Sequence, residues 1–250
     1  MAHAVRPARN AGVRSHGGHS VANTILLGLP NAEFDRILKD VEFETLPAST
    51  VLNEAFEPIK KMYFINSGLA SFLNIMEDGR SVEVGLCGKE GFVGMPVLAG
   101  FKTSSVRVVM QVGGSAFCIS AKDMVAGIRH CPTLSIHLNR FAQELALQGA
   151  QVAACNRLHG MTERLSRWLL MSQDRLGGDM VPLTQEYLAH MLATRRASVT
   201  VAAHALQKKG IISYRRGQLT IVDRARLEDA SCECYKMLTR QTNAWRRETR

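Results

Sequence analysis

Residues 183–210 constrain the fold of this 250-residue chain more than any other stretch. Thr184 suits the N-cap of a short helix, because its hydroxyl can accept a hydrogen bond from a backbone N–H of the first turn. The small residue Ala193 stands at a predicted turn. A second helix is predicted from about Arg195 to Lys209, where Gly210 ends it. The stretch therefore predicts two short helices joined by a tight turn.

The second helix has two different faces when its residues are placed at intervals of about 100°. One arc of roughly 100° carries the packing residues Val199, Ala202, Ala203 and Leu206. The opposite arc is mostly small, with a charge at each end, and carries Arg196, Ala197, Thr200, Val201, His204 and Lys208. Such a free face suits the DNA major groove, where bulky or acidic side chains would obstruct approach to the bases.

Residues 211–222 predict two short strands around Arg216-Gly217, which together form a β-hairpin wing. Arginines at the tip of the wing are placed to contact phosphates. The predicted DNA-binding residues are Thr184, Arg195, Arg196, Ala197, Ser198, Thr200, Val201, His204, Lys208, Arg215 and Arg216. An ordinary αα-corner is the alternative for the helix pair alone, and the wing and the charge distribution favour DNA binding.

The formal net charge of +9 is distributed unevenly. Residues 161–250 hold 16 basic and 9 acidic residues, whereas residues 21–160 hold 12 basic and 13 acidic ones. The excess coincides with the predicted helix pair, where DNA binding would release counterions. A membrane partner is not expected, because no run approaches about 18 apolar residues and no basic amphipathic helix carries large apolar side chains.

Residues 43–120 predict many short strands separated by regular turns. Asp78-Gly79 between two strand-like runs is a strong hairpin pattern, and glycines continue the turn spacing downstream. This pattern is typical of a sandwich, barrel or jelly roll. We therefore expect an α+β protein with an N-terminal antiparallel, jelly-roll-like β-roll and a helical C-terminal region.

A long helix is predicted from about Pro132 to Arg157. Its stripe repeats every 3.5 residues and comprises Leu134, Leu138, Phe141, Leu145, Gln148, Val152 and Cys155. A narrow repeat of this kind predicts the seam of a homodimer, and a twofold dimer matches an inverted-repeat DNA site. Packing of the same stripe on the chain's own β-roll is the alternative.

The six cysteines are scattered along the chain, without a Cys-x2-Cys pair or paired histidines nearby. This distribution argues against a metal site and favours a reducing cytoplasm. The one close pair, Cys232-Glu-Cys234, is interpreted as incidental.

The arrangement of β-roll, long helix and winged helix-turn-helix resembles the Crp–Fnr family of bacterial transcription regulators, over roughly residues 24–235. Three motifs carry the resemblance: Leu-Thr-Gln-Glu-Tyr-Leu-Ala at 183–189, Arg-Arg-Ala-Ser-Val-Thr at 195–200, and Gly-Lys-Glu-Gly-Phe-Val-Gly at 88–94. The resemblance implies a homodimer that binds double-stranded DNA and contacts RNA polymerase. With the tails read from their basic composition, the chain divides into a disordered basic tail at 1–20, a cyclic-nucleotide-binding-like sensor domain at 21–130, a dimerisation helix at 131–158, a winged helix-turn-helix domain at 159–238 and a basic tail at 239–250.

The resemblance implies DNA-contacting roles for only some of the residues that align with the family's recognition helix. Arg196 matches a guanine-reading arginine, and Ser198 matches a hydroxyl that contacts phosphate. Ala197 and Val201 replace a glutamate and an arginine that often read bases in the family. We therefore expect an operator different from that of the cyclic-AMP receptor.

The effector pocket departs further from the family. Met95 stands where a carboxylate binds the ribose, and no arginine stands at the phosphate position. Losing both groups removes charge-assisted hydrogen bonds of about 1.5–3 kcal/mol each, so cyclic-AMP sensing is not expected. The pocket is predicted at Gly94, Met95, Lys102, Thr103, Ser104, Ser105 and Arg107, with an unidentified small effector and no assigned cofactor. A cyclic-nucleotide-responsive regulator with an atypical pocket remains the alternative.

A jelly-roll enzyme is the rival from another class. Metal-dependent jelly rolls place histidines on inward strands, but residues 43–120 contain no histidine. No nucleophile–base motif is visible either. We therefore expect that the protein is not an enzyme.

Overall fold

The computed structural model describes residues 14–215 and 217–248. The strands are β1 (Ser15–His16), β2 (His19–Ser20), β3 (Val41–Leu46), β4 (Val51–Asn53), β5 (Lys61–Ile75), β6 (Ser81–Cys87), β7 (Phe92–Val93), β8 (Val106–Ser120), β9 (Met180–Val181), β10 (Ile212–Arg215) and β11 (Gln218–Ile221). The helices are α1 (Thr24–Leu27), α2 (Asn31–Ile37), α3 (Ala121–Ile128), α4 (Pro132–Leu158), α5 (Met161–Leu176), α6 (Gln185–Met191), α7 (Arg196–Lys208), α8 (Arg224–Asp229) and α9 (Glu233–Glu248). Two 3₁₀ turns follow α2 and β7.

The N-terminal region is an antiparallel β-roll, which confirms the predicted fold class. Its sheet has the order β3-β8-β5-β6, with β4 also paired to β8 and β7 to β5. The two central strands, β5 and β8, are 15 residues long and shift register where they curve. Gly114 lies at such a point, and a Cβ there would lie 2.1 Å from the Ser67 carbonyl oxygen. The absence of a side chain is what lets the two strands approach so closely.

Helix α4 packs its apolar stripe against this β-roll. Leu134, Leu138 and Phe141 are nearly inaccessible and belong to the β-roll core. A Cβ at Gly91 would lie 2.1 Å from the Phe141 ring, so the glycine makes room for the helix. Gln148, the polar residue of the stripe, accepts a hydrogen bond from Leu86 N at 2.7 Å and donates to Leu86 O at 3.3 Å.

The prediction that this stripe forms the dimer seam is therefore wrong. All seven of its members are buried within their own chain: Leu134, Leu138, Phe141, Leu145, Gln148, Val152 and Cys155. A 3.5-residue repeat indicates that a stripe is covered, but it does not indicate by what. The β-roll and α9 cover it here.

Both predicted terminal tails are partly ordered. Arg14 donates to Leu26 O at 3.2 Å and to Asn31 Oδ1 at 2.7 Å, and β1 pairs with β2. The prediction of disorder is therefore wrong for residues 14–20, while residues 1–13 lie outside the described residues. At the other end, α9 continues to Glu248, so the predicted tail at 239–250 is helical as far as it is described. Tertiary contacts explain why this segment is helical, since α9 packs on α4 and α5.

Candidate nucleic-acid interface, sensor cavity and cysteine cluster

Helices α6 and α7 form the predicted pair. Thr184 caps α6 by accepting a hydrogen bond from Tyr187 N at 3.2 Å. Ala193 takes a positive φ of 45° in the turn, a conformation that is uncommon outside glycine and marks the change of chain direction. Arg195 is the N-cap residue of α7, and Gly210, with φ of 68°, follows its end. The sequence therefore predicted both helices to within about one residue.

The two faces of α7 lie as predicted. Val199, Ala202, Ala203 and Leu206 are at most 2% exposed and pack into the core of the C-terminal domain. Six residues of the opposite face are exposed: Arg196, Ala197, Thr200, Val201, His204 and Lys208. Val201 is 71% exposed, so its side chain is open to contact with a partner on this face. Arg195 and Thr184 are also exposed, and Ser198 is half-buried.

The wing is a three-stranded sheet of order β10-β11-β9. The third strand, β9, is only two residues long and was not predicted, because so short a strand leaves no periodicity. Tyr214 on β10 donates to Leu183 O at 2.9 Å and so ties the wing to the start of α6. Burial raises the pKa of Tyr214, while a backbone hydrogen bond with Gln185 and the positive charge of Arg196 limit the rise. Arg215 is exposed at the hairpin end, and Arg216 lies outside the described residues.

The β-roll contains a cavity of about 270 Å³ beneath α4. Its wall is largely apolar and includes Ile59, Phe72, Val84, Val93, Val106 and Val108. Asn53 and Ser104 are its uncharged polar residues, and Asn53 Nδ2 already donates to Val106 O at 2.9 Å. Among the residues that the structure describes, no charged side chain lines the cavity.

Three of the seven predicted pocket residues line this cavity: Gly94, Met95 and Ser104. The other four do not line it. Lys102, Thr103 and Ser105 are exposed. Arg107 is half-buried, and its Nε lies 3.2 Å from Glu54 Oε2, an ion pair away from the cavity. Lys102, Thr103 and Ser105 lie in the segment before β8, whereas Arg107 follows the cavity residue Val106 in β8 and so points to the opposite face of the strand.

The β-roll and the C-terminal domain meet at Glu83. Its carboxylate accepts a hydrogen bond from Trp168 Nε1 on α5 at 2.8 Å, and Ser71 Oγ lies 2.7 Å away. Burial raises the pKa of Glu83 from 4.5 to about 7, while these hydrogen bonds and the charges of Arg167 and Arg175 limit the rise. No local pattern in the sequence indicates this contact, which joins residues 85 positions apart.

Three cysteines and a histidine meet at the junction of α4 and α9. Cys155, His159, Cys232 and Cys234, called here the Cys–His cluster, each place a ligand atom within 4.8 Å of the others. The three cysteines are at most 3% exposed, and all six cysteines of the chain are free. The interpretation of Cys232-Glu-Cys234 as incidental is therefore wrong, because both cysteines meet Cys155 and His159 in the fold. The spacing Cys-x3-His, which places two ligands one helical turn apart, could have been noticed in the sequence.

None of the helices among residues 14–215 and 217–248 is both long and apolar enough to cross a membrane.

A β-roll joined by a long helix to a winged helix-turn-helix with an exposed, basic-ended α7 defines the class of DNA-binding transcription regulators. Two family models agree with this assignment: the cyclic nucleotide-binding domain matches residues 43–130, and the Crp-like helix-turn-helix domain matches residues 163–230. Together they cover more than half of the chain. The chain belongs to the Crp–Fnr family of transcription regulators.

Solved structures show the same fold. FixK2 from Bradyrhizobium japonicum aligns with a TM-score of 0.66 at 15% identity, over 77% of this chain and 98% of its own. A Crp/Fnr-family regulator from Eubacterium rectale has a TM-score of 0.62 at 15% identity, over 84% and 98%. CLP from Xanthomonas campestris, described as c-di-GMP responsive, has a TM-score of 0.62 at 17% identity, over 77% and 99%. No curated protein matches the sequence.

Proposed function

We propose that the protein is a homodimeric regulator that binds inverted-repeat DNA through the exposed face of α7 and does not respond to cyclic AMP. The observation that carries this proposal is the exposure of Arg196, Val201 and Lys208 on one side of a helix whose other side is fully packed. Phosphate contacts from the wing and the ends of α7 would fix the register on DNA, and Arg196 would read a guanine.

The outer face of α4 supports a homodimer. This helix of 27 residues is about 40 Å long, and its inner stripe is covered by the same chain. Its outer face instead exposes Ile136 and Leu158, which are 49% and 74% accessible. Between them lie the exposed alanines Ala146, Ala150, Ala153 and Ala154. Small residues allow two helix backbones to approach closely, so we place the twofold seam on this face.

The cavity supports an effector other than a cyclic nucleotide. A phosphate diester carries a charge that must be paired when it is buried. The described residues that line the cavity offer no cation for it. The same reasoning disfavours a cyclic dinucleotide in this cavity, although CLP is described as responsive to one. An uncharged, largely apolar molecule fits the wall better.

The proposal also includes a protein partner and a cellular location for the regulator. A regulator of this family acts on transcription, and we propose RNA polymerase as its protein partner. The six free cysteines fit a reducing cytoplasm.

Operator selection from random duplexes, followed by sedimentation of the complex, tests the proposal. We expect a selected inverted repeat that binds two chains per duplex. Ala150→Arg introduces a buried charge at the seam and should give monomers with weak operator binding, whereas the exposed Ala126→Arg on α3 should remain dimeric. Selection of a single half-site bound by one chain, or an Ala150→Arg variant that stays dimeric, would contradict the proposal.

A further inference from the structure

We propose that the Cys–His cluster binds one zinc ion that joins the end of α4 to the start of α9. A tetrahedral zinc site has Zn–S bonds of about 2.3 Å and Zn–N bonds of about 2.0–2.1 Å, so its ligand atoms lie roughly 3.5–3.8 Å apart. Cys155 Sγ lies 3.4 Å from Cys232 Sγ, and Cys234 Sγ lies 3.5 Å from His159 Nδ1. A small contraction or expansion of these distances accommodates the ion.

Two ordered elements supply the four ligands. Cys155 and His159 are four residues apart at the C-terminal end of α4, so their side chains share one face of the helix. Cys232 and Cys234 flank Glu233, the first residue of α9. The winged helix-turn-helix domain lies between the two pairs in sequence, so the ion would link the two ends of this domain.

The orientation of His159 favours a metal ligand at Nδ1. Its other ring nitrogen, Nε2, lies 3.0 Å from Glu233 Oε2. Donation of the Nε2 proton to this carboxylate leaves the Nδ1 lone pair directed at the cysteines. Metal-bound histidines in proteins are commonly held by a carboxylate in this way.

The surroundings of the cluster also fit an anionic site. Three thiolates and Zn²⁺ carry a net charge of −1, and formation of the site releases the three thiol protons to solvent. Gln151 Nε2 lies 3.1 Å from Cys234 Sγ and can donate to it. The guanidinium groups of Arg164 and Arg167 interact electrostatically with Cys155. Arg167 is 2% exposed, and its Nε has no hydrogen-bond partner among the described residues, so a nearby anion would offset the burial of its charge.

Two other uses of the cluster fit less well. A disulfide needs sulfur atoms about 2.05 Å apart and would leave the third cysteine and His159 without a role. An iron–sulfur cluster places several iron and sulfide ions between its ligands and would hold them farther apart than 4.8 Å. A single tetrahedral ion uses all four groups.

Metal analysis of the full chain, purified without chelator, tests the proposal. We expect one zinc per chain in the native protein and in Cys118→Ser, a buried cysteine outside the cluster. Cys155→Ser and Cys234→Ser should lose the zinc. Replacement of the ion by Co²⁺ in the native protein should give the visible bands of a tetrahedral ion and a near-ultraviolet thiolate-to-cobalt band, a result that depends on no variant folding.

A milder substitution separates a metal role from a packing role. Glu233→Gln changes a largely exposed side chain that is paired with the outer nitrogen of His159, so the fold should be kept. Its zinc affinity, measured by competition with a chelator, should fall about 10–100-fold, and the exposed Glu186→Gln should leave it unchanged. A native protein without zinc and without a cobalt–thiolate band overturns the proposal. Iron with sulfide, a disulfide in the isolated protein, or full zinc content in Cys234→Ser would also overturn it.

Discussion

Helices α4 and α7 both bury one stripe and expose another, but their exposed faces differ in chemistry. The inner stripes of both helices are packed within the chain, α4 against the β-roll and α7 within the C-terminal domain. The outer face of α4 carries small alanines at Ala146, Ala150 and Ala153, whereas the outer face of α7 is flanked by Arg196 and Lys208. The first surface suits another helix, and the second suits a polyanion. The kind of partner that a helix binds is therefore indicated by the chemistry of the face opposite its apolar stripe.

The prediction with the largest expected effect compares substitutions on the inner and outer faces of α4. Leu138→Ala leaves a cavity against the β-roll, because Leu138 is fully buried. We expect the free energy of unfolding, measured in urea, to fall by about 2–5 kcal/mol. Ile136→Ala, two residues away and 49% exposed, should cost much less in the monomer and should instead weaken self-association. Equal losses of stability for the two variants would show that both faces are covered within the chain.

A pH series sharpens the comparison where the β-roll meets the C-terminal domain. The pKa of Glu83 is about 7 in the folded protein and 4.5 ordinarily, because burial disfavours its charge. Folding therefore favours the protonated carboxyl. The stability that this proton contributes is complete below about pH 4.5 and is lost as the pH rises through about 7.

Glu83→Gln should abolish this pH dependence. Glutamine stays neutral and can still accept the hydrogen bond of Trp168, so above pH 7 the variant should be more stable than the native protein by up to about 3 kcal/mol. The difference should be much smaller at pH 5. Denaturant unfolding at several pH values measures it, and a variant less stable than the native protein at pH 8 would contradict the pKa. Arg167, Arg175 and the half-buried Tyr187 also interact with this carboxyl and should be kept unchanged in the series.

The local features of the fold could be predicted from the sequence, because they depend on neighbouring residues. Thr184, Ala193 and Gly210 define the helix pair by capping and turn chemistry, and Gly79 marks the hairpin between β5 and β6. Both faces of α7 follow from its periodicity. These features need no knowledge of distant contacts.

The remaining features depend on contacts between distant residues. The sequence predicts that the stripe of α4 is buried. It does not predict which element covers the stripe, since spacing does not distinguish a β-roll from a second helix. Gly91, which admits Phe141, is the residue that could have indicated close packing. The Cys–His cluster joins residues 77 positions apart, and the Glu83–Trp168 contact joins residues 85 apart. No local pattern connects either pair.

The central claim is that the exposed face of α7 reads DNA sequence, and Arg196→Ala tests it most directly. Equilibrium binding to the selected operator should weaken about 5–150-fold, since a bidentate arginine–guanine contact contributes roughly 1–3 kcal/mol of discrimination. Binding to random duplex DNA should weaken much less. Lys122→Ala on α3 removes one exposed charge outside the interface and should leave operator affinity nearly unchanged. Equal losses on operator and random DNA, or no loss with Arg196→Ala, would contradict the account.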